Sequence, residues 1–169
     1  DNNVQSSTYE GGKAVGAIRY STGNPSNGNT ITIISTQGLS KTYEFRSSGS
    51  PSAGNVSVAI DGSSATTTYT SLVTAINGAS GHNGAIAAEL TTKSASEGTV
   101  GLVQQIPGAT GNTTITTSIS GVTKYDFFGG GSGAINSLTS YVPFSYDVDL
   151  EEADSHSSYW ISSGIVENI

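Results

Sequence analysis

The chain has 169 residues, long enough for one domain with a real core, or one domain plus an arm. Only 11% of them are charged, well under the roughly 25% of an average soluble domain, and Gly, Ser and Thr fill the space instead. Six Lys and Arg against 13 Asp and Glu give a formal net charge of -7, which excludes the clustered cations that nucleic-acid phosphates or an anionic membrane surface require.

In chain order, residues 1–13 are polar and turn-rich and are read as an N-terminal arm. Val15 and Ile18 mark a first strand within residues 14–20, and Asn24-Pro25-Ser26-Asn27-Gly28 is a turn cluster. Residues 30–36 and 42–46 are predicted to form a hairpin around Gln37-Gly38. Tyr43 and Phe45 would then share one face with Ile31 and Ile33. Val56, Val58 and Ile60 alternate as another strand that ends at Asp61-Gly62. Tyr69, Leu72, Val73 and Ile76 fall at i, i+3, i+4 and i+7, which predicts a helix over residues 69–77, with Thr68 as N-cap and Gly78 as a left-handed C′ residue. Residues 81–84 read as a turn, and Ile86, Ala88 and Leu90 as a strand.

The stretch from Gln104 through Pro107-Gly108-Ala109-Thr110-Gly111-Asn112 to Ser118 is a Gly-rich connection between two alternating segments. Val100, Leu102 and Gln104 alternate before it, and Ile115, Thr117 and Ile119 after it. A hairpin or a short crossing loop is expected there. Strands, one helix and strands again predict an α+β fold, a mainly antiparallel sheet or sandwich with the helix packed on it. Gly129-Gly130-Gly131-Ser132-Gly133 reads as a flexible connection. The expected organisation is therefore an arm (1–13), a β-rich module (14–130) and a C-terminal arm (131–169).

Taken together, "NPSNGNTITI", "KTYEF", "SLVTAIN", "GTVGLVQQIPGATGNTTITTS" and "GVTKYDFFGG" resemble a module of structural proteins of tailed bacteriophages, marine ones in particular. The resemblance covers residues 14–130. It implies a place in a virus particle, with a major capsid protein or other virion subunits as partners, in a homo-oligomer or a larger assembly. It carries no catalytic residues with it.

Several groups of residues are candidate sites on chemical grounds. Asp147, Asp149, Glu151, Glu152 and Asp154 beside His156 supply oxygen ligands, but Glu152 stands where the helix-loop-helix calcium pattern needs Gly, so the run is read as a solvated connection. His82 lies in a Gly-rich turn with no evident orienting partner, which argues against a catalytic base. Glu44 and Glu89 occupy polar strand positions and are expected to face solvent, and Glu97 lies beside a Gly turn. Gly108-Ala109-Thr110-Gly111 lacks the Lys and helix of a phosphate loop. An intramolecular Lys-Asn bond would need a buried Lys. With no Cys, neither a disulfide framework nor a Cys-based metal site can form. No catalytic, cofactor or metal residue is expected, and no cofactor.

No apolar run approaches the roughly 20 residues of a bilayer span, and no basic segment followed by an apolar one opens the chain. Membrane insertion is not expected. Asp1, in a chain without Met, suggests a processed end or a chosen boundary. Residues 131–169 hold Tyr141, Phe144, Tyr146, Tyr159 and Trp160, too many large rings for a solvated tail. They are the candidate interface residues, packing on their own sheet or on a neighbouring subunit. The expected role is non-enzymatic: a capsid decoration or cement protein on the outer surface of the particle. A tail, fibre or knob component and a bacterial surface adhesin are the alternatives.

Overall fold

Side-chain alternation places Ile31, Ile33, Tyr43 and Phe45 on one side of a hairpin, and the core begins there. In the computed structural model, which describes residues 11–21 and 23–131, all four are fully buried. The strands are β1 (Val15–Tyr20), β2 (Thr30–Ile34), β3 (Ser40–Arg46) and β4 (Val56–Ala59), followed by the helix α1 (Ala65–Asn77). Then come β5 (Ile86–Ser94), β6 (Glu97–Gln104), a single 3-10 turn at Ala109–Gly111, β7 (Thr116–Thr117) and β8 (Val122–Phe128). The fold is α+β and β-rich, as expected.

The strands form two four-stranded sheets, ordered β5-β6-β1-β8 and β4-β3-β2-β7. The first is antiparallel throughout. In the second, β2 pairs antiparallel with β3, with Ile31 opposite Tyr43, while β3 and β4 run parallel. Ile18, Tyr20, Val100 and Leu102 from the first sheet and the hairpin residues from the second belong to one hydrophobic cluster with Tyr69, Leu72 and Ile76 of α1. Tyr69 stacks on Tyr20 with ring centroids 4.0 Å apart and meets Phe45 at a tilt.

The helix begins earlier than its apolar spacing implies. Ser64, with extended φ and ψ, is the N-cap and accepts a hydrogen bond from the Thr67 N–H at 3.2 Å. Thr68 is instead buried inside the first turns, where its hydroxyl donates to Asn24 and accepts from the Asp61 N–H. Gly78 has φ -77°, so it is not the left-handed residue expected. Asn77 closes the helix differently: its amide exchanges two 3.0 Å hydrogen bonds with the backbone of Ala88, on the side of β5 away from β6. Thr66 does the same further along, binding the carbonyls of Ser94 and Ala95. An edge that would otherwise invite another strand is thereby capped.

The Gly-rich stretch is a crossing loop. It leaves β6 in the first sheet and enters β7, only two residues long, in the second. Buried Gln104 pins the crossing, since its amide nitrogen donates to the Ile34 carbonyl at 2.9 Å and its oxygen accepts from the Thr36 N–H at 2.9 Å. Thr113 adds a hydroxyl bond to the same Ile34 carbonyl.

Two elements depart from expectation. β8 is a strand that the alternation of residues 122–128 does not announce, because a register irregularity opposite Gly16 breaks it. Gly129 to Gly131, expected to be a flexible connection, are held: Asn112 exchanges hydrogen bonds of 2.8 and 2.9 Å with Gly130, and Gly131 donates to the Gly12 carbonyl. Backbones meet closely enough here that a Cβ on Gly130 would collide with the Gly108 carbonyl.

Candidate functional site

The five candidate interface residues, Tyr141, Phe144, Tyr146, Tyr159 and Trp160, and the acidic run with His156, lie outside the described residues, as does most of the N-terminal arm. The described residues hold three other features that bear on function.

The first is His82, for which the sequence shows no orienting partner. The chain turns sharply after α1: Gly81 packs so close to the helix end that a Cβ would strike the Ala75 carbonyl, and the His82 N–H donates to Ile76 O at 2.9 Å. The imidazole is thereby driven into the core, where it is only 1% exposed. Its Nδ1 lies 2.7 Å from the Tyr43 hydroxyl and its Nε2 3.2 Å from the Leu39 carbonyl. The carbonyl can only accept, so Nε2 carries the proton and Tyr43 donates to Nδ1. Burial, with Lys41 adding to it, holds the imidazole below its ordinary pKa, and burial raises the Tyr43 phenol. Both nitrogens are engaged, so the pair locks the loop after α1 to the β2–β3 hairpin. No signal in the local sequence gives this contact, because Tyr43 is 39 positions away.

The second is Glu44, expected to face solvent and in fact 3% exposed. The alternation is right, for Glu44 points away from the core. The loop 47–55 then lies over it. Its carboxylate accepts from Asn55 Nδ2 at 2.7 Å, from the Ser52 N–H at 2.8 Å and from Arg46 Nη1 at 3.0 Å. These hydrogen bonds, led by Asn55, hold its pKa at about 2. Glu89 is exposed, as expected. Glu97 is bridged by Arg19 and Lys93.

None of the described lysines is buried, so none is placed for a Lys-Asn bond. Among the described residues no group of three His, Asp or Glu is arranged to hold a metal ion, and no helix is long and apolar enough to cross a membrane.

The third feature is the outer face of the first sheet. Strand pairing sets Val15 opposite both Phe128 and Val103, and Ala17 opposite Tyr125, so these five side chains share one face. Val15 is 39% exposed, Tyr125 50% and Phe128 63%. An open groove of about 480 Å³ lies elsewhere, beside His82, and is lined by Gln37, Leu39, Lys41, Asn83 and Ile106 among others.

No family model, no curated protein and no solved structure matches this chain.

Proposed function

We propose that this chain is a non-enzymatic structural component of a tailed-phage particle, and more narrowly a decoration protein on the outside of the head. The described module stands on the shell and contributes contacts, while the aromatic residues of 131–169 contribute the rest. The observation that carries this reading is the exposed apolar face built by Val15, Tyr125 and Phe128. Large side chains gathered on one sheet face favour association, and aromatic anchors supply much of the energy of protein interfaces. The motif likeness points to a virion, and the scarcity of cations points to a protein partner in preference to a nucleic acid.

Gold labelling with an antibody to the chain tests the reading on source particles. Label spread over heads is the expected result. Label on tails alone would move the protein to a fibre or knob, and label only on cell envelopes would make it an adhesin. Truncation after Gly133 with particle binding intact would remove the five C-terminal aromatics from the interface.

A further inference from the structure

We infer that the groove beside His82 is a docking site for a peptide segment carrying a carboxylate next to a leucine-sized or aromatic side chain. This inference is independent of the particle assignment. Three parts of the chain build the groove: the β2–β3 turn with the start of β3, the loop between α1 and β5, and the crossing loop.

Of the six cations in the chain, Arg19, Arg46, Lys93 and Lys124 are each paired with a carboxylate and Lys13 reaches Gln105. Lys41 alone has no partner among the described residues, and it lines the groove. In a chain of net charge -7, the unpaired ammonium of half-buried Lys41 is a donor and counter-charge for an acidic group.

The apolar part has its counterpart as well. Leu39 and Ile106, 41% and 40% exposed, both line the groove although they come from different sheets' connections. Gln37 and Asn83 also line it, and neither side-chain amide has a hydrogen-bond partner among the described residues. Each offers a donor and an acceptor to the backbone of an extended segment. The groove is open to solvent, which suits a stretch of chain better than an enclosed small molecule. Beneath it, the saturated His82–Tyr43 pair gives a rigid floor, and Asn83 is held in the left-handed region at φ 43° by the turn that positions His82.

Titration of the ¹⁵N-labelled full chain with acetyl-Gly-Asp-Leu-Gly-amide, followed by amide chemical shifts, tests this. Saturable shifts are expected at Leu39, Lys41, Asn83 and Ile106. Exchanging Asp for Asn in the peptide should weaken binding up to about fivefold, the scale of one exposed ion pair. Lys41→Gln, which breaks no contact within the fold, should weaken it to the same degree and abolish the preference for Asp over Asn. Absence of saturable shifts up to about 5 mM peptide would overturn the inference, as would equal binding of the two peptides. N-acetyl-leucine binding as tightly as the peptide would also overturn it, by making the groove a site for small organic acids.

Discussion

The seam where the two sheets meet and the outer face of the first sheet are built on opposite rules. At the seam Gln104 is inaccessible yet bonded to Ile34 and Thr36, and beside it His82, in the loop after α1, is bonded through both nitrogens; among the described residues the Tyr69 hydroxyl is the one buried side-chain polar atom without a partner. On the outer face, apolar groups are exposed: Val15, Tyr125 and Phe128 have large surfaces in solvent. A buried polar group costs little only when it is fully satisfied, so satisfaction at the seam reads as architecture. An exposed apolar cluster has no such internal explanation, and association is the use that fits it. Residues that look chemical in this chain therefore hold it together, while those that look structural face outward.

Substitutions can test that division. The largest loss of stability is expected in the core both regions depend on. Leu72→Ala removes a fully buried side chain of α1 and should cost about 2 to 5 kcal/mol, measured by chemical denaturation. Gln104→Leu should come next, at roughly 1 to 3 kcal/mol, because the part-buried Thr36 N–H loses its acceptor. A negligible change there would show that the seam amide is dispensable and that the contrast with the outer face is one of composition only.

Sequence periodicity and structure agree where contacts are local or regular. The hairpin register follows from alternation in residues 30–46, and the buried face of α1 follows from the spacing of Tyr69, Leu72 and Ile76. Failures occur where a partner is distant or the period is broken. Ser64 is hard to recognise as N-cap because Ala65, although on the buried face one turn before Tyr69, is small and is followed by Thr66, Thr67 and Thr68, which are weak helix formers. β8 is not legible as a strand because its irregularity places Tyr125 and Phe128 on the same face three residues apart. The facing of Glu44 was legible, but its burial depends on Ser52 and Asn55 folding back over the sheet. His82 and Gln104 found their partners across sequence gaps that no local pattern spans. The apolar sheet face needed the pairing of β1 with β8 before its members could be seen together.

Glu44 sharpens the contrast through pH. Its carboxyl titrates at about 2 in the folded chain against an ordinary 4.5, so the unfolded chain takes up the proton first as pH falls. The stabilisation is complete above 4.5 and drains away as pH drops toward 2. Glu44→Gln should lower stability near neutral pH and make the fall over that window shallower than in the parent chain. It should not become flat, since Asp61, Glu97 and Asp126 are also held below their ordinary values by hydrogen bonds. A slope unchanged by the substitution would mean that the clip over loop 47–55 does not depend on an ionised carboxylate.

The smallest effect on stability is expected on the outer face, where the largest effect on association should lie. Phe128 lies at the end of an edge strand with most of its surface in water, so Phe128→Ser removes little packing and should alter stability by no more than about 0.5 kcal/mol. Tyr125→Ser, in the same face, should behave alike. If the face is an interface, the double variant should keep its unfolding midpoint and lose binding to particles in a co-sedimentation assay. A double variant that unfolds early would show instead that these rings support the fold. One that is both stable and fully bound would leave the exposed apolar cluster without a part in assembly, and the contacts would have to come from elsewhere on the chain.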